Sequence, residues 1–205
     1  MMSVCTKGYF VAVDGPNGAG KSTLIKAIKE ALEHKGYETY ITKEPTGTEC
    51  GGFVRQYAEG HSGIGVACLV AADRYDHIQN EILPELNKGK IVITDRYVLS
   101  TLILQRMDGV DDTFLLNLNS QVLKPNLQIA VFANEEVLQK RLLERENLTR
   151  FEKGKQSKEE LFFMKKGILE LKKQEVNVIC INNNSDLKNN VDEIVSFIVN
   201  SRREV

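Results

Sequence analysis

The sequence predicts an α/β fold: a five-stranded parallel sheet with helices on both faces. Three observations predict it. Five short apolar runs alternate with stretches of helical spacing along the 205 residues. The runs are apolar nearly throughout, as strands buried on both faces must be. A glycine-rich segment, Gly15-Pro16-Asn17-Gly18-Ala19-Gly20-Lys21-Ser22, joins the first strand to the first helix. It fits G-x-x-x-x-G-K-[ST], the pattern of a phosphate-binding loop, and strand–loop–helix is the context that pattern needs.

The elements follow in order. Residues 9–13 read as a buried strand. After the glycine loop, Leu24, Ile28, Ala31 and Leu32 mark a helix over 22–35. A strand over 37–42 is closed by Glu44-Pro45. A glycine-containing stretch leads to a helix over 53–59, and 60–65 is a loop. A long helix is expected over 66–88, with Pro84 kinking or shortening it. A strand over 90–94 ends at Asp95. Helices over 98–106 and 112–123 precede Pro125, which breaks the chain before a strand over 127–132. Asn134 caps a helix over 135–146. The charged stretch 149–158 is a loop. Ser157 with Glu160 resembles a capping box for a helix to 173. A strand over 176–181 and a helix over 187–201 complete the chain.

Composition narrows the function. One domain spanning 1–205 is expected, with no linker or repeat. The net charge of −1 gives no footprint for nucleic acid or a membrane surface. No apolar run approaches the roughly 18 residues of a membrane span, and no signal peptide is expected. Cys5, Cys50, Cys68 and Cys180 lack paired metal spacing. Reduced thiols in a cytoplasmic protein are the expectation.

Phosphate chemistry gathers at strand ends, where ligands of parallel sheets bind. Gly15, Pro16, Asn17, Gly18, Ala19 and Gly20 turn backbone N–H groups toward phosphate oxygens, and the helix beginning near Lys21, Ser22 and Thr23 adds its positive end. Lys21 is expected on the β- and γ-phosphates of a nucleotide, and the Ser22 hydroxyl on Mg²⁺. Asp95 is the carboxylate expected near that metal. Asp14, ahead of the loop, can orient a substrate hydroxyl or water; a turn-forming aspartate before glycine is the other reading. Arg96 follows Asp95 as a catalytic cation or a structural ion pair. Arg145, Arg150 and Lys155 bracket an expected lid at about 146–157, which would exclude water from the transferred phosphoryl group.

Several motifs together resemble the thymidylate kinase family of P-loop nucleoside monophosphate kinases. They are Phe10-Val11-Ala12-Val13-Asp14-Gly15, Lys43-Glu44-Pro45-Thr46-Gly47-Thr48, Ala71-Ala72-Asp73-Arg74, Asp95-Arg96-Tyr97, Ser100-Thr101 with Gln105, and Arg150-Phe151-Glu152. The resemblance implies a P-loop NTPase fold and an ATP- and Mg²⁺-dependent transfer to a pyrimidine monophosphate, with dTMP leading. It implies that Asp14 sits by the acceptor, that Arg55 and Arg96 grip its phosphate, and that Arg74, Thr101 and Gln105 face the base. Glu44, Pro45, Val70, Tyr97 and Leu104 join the acceptor site. The glycine loop lacks an arginine, so the lid's Arg145 or Arg150 is the implied catalytic cation. A homodimer is implied too. Val70 and Leu104 stand where the family commonly has an aromatic residue and a tyrosine, and Thr46 and Thr149 where glycine and aspartate are usual. A different or modified nucleoside monophosphate is therefore the second reading of the acceptor. A non-catalytic nucleotide-binding protein, or a kinase of a non-nucleotide metabolite, are the readings from other classes. Lys21, Ser22, Asp95 and Arg96 disfavour the first, and Arg74, Thr101 and Gln105 the second.

Overall fold

The apolar runs become a sheet of five parallel strands in the order β2-β3-β1-β4-β5. The computed structural model describes residues 8–143, 150, 157–184 and 186–203. β1 (Tyr9–Asp14) is central, and all six of its residues are buried. It pairs with β3 (Ile91–Asp95) through Val11–Ile93 and with β4 (Leu127–Phe132) through Val11–Leu127. β2 (Thr39–Lys43) and β5 (Val178–Asn182) form the edges.

Alternation along β1 divides the core in two. Tyr9, Val11 and Val13 pack with α1 (Lys21–His34) and α9 (Leu187–Arg203) through Leu24, Ile28, Ile194 and Ile198. Phe10 and Ala12 face the other way, toward α3 (Ile64–His77), α5 (Val98–Met107) and α8 (Ser157–Lys173). Each fully buried Leu or Ile contributes about 1.5–3 kcal/mol by leaving water. At Gly167 a Cβ would lie 2.6 Å from Leu99 Cδ1, so glycine permits the close packing of α8 on α5. α2 (Glu49–Gly60) lies beside α3, and α6 (Asp112–Leu118) follows α5. α7 (Glu135–Leu143) follows β4.

The expected helix over 66–88 is three pieces. α3 opens into a π-turn at Ile78–Ile82, and α4 (Leu83–Asn87) carries Pro84 in its first turn. The Leu83 N–H reaches back five residues to the Ile78 carbonyl. Widening the turn there places Pro84, which has no N–H, at a fresh helix start. The helix expected to reach 123 ends at Leu118.

Candidate active site

The carboxyl ends of β1, β2 and β3 open into one cavity of about 860 Å³. Asn17, Gly18, Gly20, Lys21, Ser22 and Thr23 form one wall, and Arg74, Thr101, Leu104 and Gln105 another. Gly20 caps α1 at φ 83°, a left-handed conformation that glycine adopts without cost, and a Cβ there would lie 2.5 Å from Asn183 Nδ2. The turn delivers Lys21 and the following N–H groups to the cavity.

Lys21 Nζ donates to the carbonyls of Gly15 at 2.9 Å and Pro16 at 3.0 Å. Burial, and then the nearby Arg96 charge, lower its pKa to about 7. Two cations packed this closely favour an anion between them. The Ser22 hydroxyl donates to Asp95 Oδ2 at 3.0 Å. Asp95 Oδ1 is buried and lacks a hydrogen-bond partner among the described residues. A hydroxyl beside an under-satisfied carboxylate suits a Mg²⁺ ion with its bound water. Among the described residues no group of three or more His, Cys, Asp or Glu side chains could hold a metal.

Arg96 lies at φ 77°, an uncommon conformation for a side-chain-bearing residue. Its guanidinium is fixed by Asn17 Oδ1 at 2.7 Å and the Ser100 hydroxyl at 3.2 Å. Asn17 is itself held: Glu160 Oε2 accepts its N–H and Oε1 accepts its Nδ2–H, both at 3.1 Å. Glu160 therefore bonds to the glycine loop, whereas the sequence assigns it to a cap with Ser157.

Arg74 is almost wholly buried. It pairs with Glu44 at 2.7 Å and donates to Asn119 Oδ1 at 2.6 Å and the Tyr97 carbonyl at 3.2 Å. Burial works against its charge, and Glu44 more than offsets that. Glu44 also accepts from His77 at 3.3 Å if that ring nitrogen is protonated. Thr101 Oγ1 is buried without a partner among the described residues, and Gln105, Val70 and Leu104 line the cavity with it. Arg55 also lines it and donates to the Pro45 and Thr46 carbonyls, both at 2.7 Å. Thr46 binds Asp73 through its N–H at 2.8 Å and its hydroxyl at 2.6 Å, so it anchors the loop.

Asp14, Tyr97 and Arg150 do not line that cavity. The Asp14 carboxylate is fully buried and does not line the cavity. It accepts from the N–H groups of Tyr97 at 3.0 Å and Ser100 at 2.9 Å, and from Gln128 Nε2 at 3.0 Å. These bonds hold the start of α5. The Tyr97 ring packs edge-on against Phe10, and its hydroxyl donates to the Leu123 carbonyl at 2.8 Å. An aromatic ring beside a hydrophobic strand belongs to the core. Arg150 forms a two-pronged pair with Asp108, at 2.8 and 2.6 Å. Arg145 and most of the expected lid lie outside the described residues.

Sequence reasoning counts Arg141 among the arginines near strand ends without giving it a role, and it misses Asn183. Arg141 reaches the Gly18 carbonyl at 3.2 Å, and Asn183 Nδ2 donates to the Ala19 carbonyl at 2.8 Å. With Gly20, Thr23 and Leu187 they line a second cavity of about 310 Å³ beside the loop. Both come from distant segments, and neither carries a local motif.

Residues 13–194 match the family model described as thymidylate kinase. The chain belongs to the thymidylate kinase family. It is therefore a nucleoside monophosphate kinase. A probable thymidylate kinase of Pyrococcus horikoshii is 39% identical over 155 residues, covering 72% of this chain and 76% of the relative. The thymidylate kinase of Caldicellulosiruptor saccharolyticus is 38% identical over 144 residues, covering 66% and 70%. The crystal structure of thymidylate kinase from Ehrlichia chaffeensis superposes with a TM-score of 0.69 at 22% identity, covering 93% of this chain and 98% of that one. That likeness shows the shared α/β fold.

Proposed function

We propose that this thymidylate kinase family member transfers the γ-phosphoryl group of ATP to dTMP. A dTMP phosphate oxygen forms the new P–O bond, the bond from γ-phosphorus to the β–γ bridging oxygen breaks, and ADP and dTDP leave. The observation that carries the reading is the single cavity with a glycine loop at one end and Arg74, Thr101 and Gln105 at the other. Lys21 and the loop N–H groups bind the ATP phosphates, and the smaller cavity by Arg141 and Asn183 suits the nucleoside. Arg96 and Arg55 hold the acceptor phosphate in line. The Thr101 hydroxyl, without a partner among the described residues, and Gln105 bond the base, whose faces meet Val70 and Leu104. Ser22 and Asp95 would hold Mg²⁺ with its water, which would supply neutralising charge to the phosphoryl oxygens.

A bisubstrate nucleotide, thymidine joined to adenosine through five phosphates, tests the continuity of the two sites. It is expected to bind roughly a hundredfold tighter than dTMP, because the second contact becomes intramolecular. Binding no tighter than dTMP would contradict one shared cavity.

No described helix is long and apolar enough to cross a membrane. The free thiols of Cys50, Cys68 and Cys180 support a cytoplasmic location. The homodimer implied by the resemblance is retained, and sedimentation tests it: a monomer across working concentrations would refute it.

A further inference from the structure

We propose that Glu160 is a positioning residue for phosphoryl transfer, acting through Asn17 on Arg96; this rests on the kinase reading above. Glu160 lies in the first turn of α8, 143 residues from its partner, and its side chain is buried. A buried carboxylate costs free energy unless its oxygens are satisfied. Here each oxygen takes one N–H of the same residue, the Asn17 backbone and amide. That choice fixes which way the amide faces. With Nδ2 turned to Glu160, Oδ1 faces Arg96 and accepts its guanidinium at 2.7 Å. An amide flip would set a donor against a donor at Arg96 and an oxygen against a carboxylate at Glu160. The carboxylate thus sets the amide, and the amide sets the cation that lines the cavity. Burial raises the Glu160 pKa, with the Asn17 N–H, Arg96 and Lys21 opposing that shift.

The bonding pattern specifies its own rescue. In Glu160→Gln the new amide nitrogen meets Asn17 Nδ2, donor against donor. In Asn17→Asp two carboxylates meet. The double variant, Asn17→Asp with Glu160→Gln, restores the match. Its carboxylate, now on the glycine loop, would accept from both Arg96 and the amide nitrogen introduced on α8. The amide oxygen on α8 would accept the loop N–H that Glu160 Oε2 accepts in the wild type. Every bond returns, with the negative charge moved across the contact. Each single variant is expected to lower kcat/KM for the monophosphate by roughly tenfold or more, the scale of a lost charge-assisted bond. The double variant is expected to recover most of it, a strong non-additivity. Wild-type kinetics in Glu160→Gln, or a double variant no better than the poorer single one, overturns the proposal. Should Glu160→Gln fail to fold, a folded and active double variant still supports it, and an inactive one overturns it. Melting temperatures are measured in parallel. If wild type phosphorylates no monophosphate, the proposed function fails. The clamp is then judged on melting alone: recovery in the double variant supports it, and additive loss refutes it.

Discussion

At the scale of single residues, Lys21 is a cation kept half-neutral near pH 7 by burial and by Arg96. Its pKa is lowered, so above pH 7 the side chain has mostly lost its proton. A polyphosphate restores the charged form, and nucleotide binding should take up protons. With a pKa of about 7, uptake at pH 8 should approach roughly 0.9 proton per site, falling to roughly 0.1 at pH 6 from this group. Calorimetric titrations in buffers of differing ionisation enthalpy measure it, and Lys21→Met should abolish the pH 8 uptake. No uptake in wild type would mean that Lys21 is already charged. The transition-state cation is a second case. Arg150 is paired with Asp108, so Arg145→Ala should cut kcat more than Arg150→Ala, with little change in acceptor binding. Equal and normal kcat in both variants and their double would place the cation elsewhere.

At the scale of elements, strands buried on both faces are legible in the sequence and edge strands less so. The run at 127–132 coincides with β4, in which every residue but Phe132 is buried. The two edge strands, β2 and β5, begin two residues later than expected and share a half-exposed pattern. An edge has one neighbour, and its apolar signal is diluted. The Pro84 break is legible, but its form as a π-turn is not, because that depends on how α3 and α4 both pack on the sheet. α3 also carries Arg74, buried against Glu44 at the end of β2. Glu44→Gln would leave that charge unpaired in the interior. Removing one partner of such a pair costs about 3–5 kcal/mol, and a chain of this size loses roughly 2–4 °C per kcal/mol. Thermal melting should therefore drop by at least roughly 6 °C. Unchanged melting would show that Arg74 is held by Asn119 and the Tyr97 carbonyl alone.

At the scale of the molecule, the site assembles where the sheet's carboxyl ends meet, and its legibility depends on chain distance. Gly18, Gly20, Lys21 and Ser22 lie within one motif, and Asp95 stands out because it ends an apolar strand. Glu160, Arg141 and Asn183 reach the loop across more than a hundred residues, and no local pattern points to that contact; the one pattern at Glu160 is a helix cap with Ser157. Asp14 and Tyr97 sit inside recognisable motifs, which do not say that the Asp14 carboxylate bonds the start of α5 or that the Tyr97 ring packs on Phe10, because a motif marks a place and not a direction. In the proposed reaction one cavity joins ATP to dTMP. Product analysis by chromatography tests it most directly: ATP, Mg²⁺ and the protein are incubated with dTMP, dUMP, dCMP, UMP, CMP, dGMP and dAMP in separate reactions. Stoichiometric dTDP and ADP are expected, with dTMP giving the highest kcat/KM and Lys21→Ala giving no product. Absence of dTDP, or clear preference for another monophosphate, would contradict it.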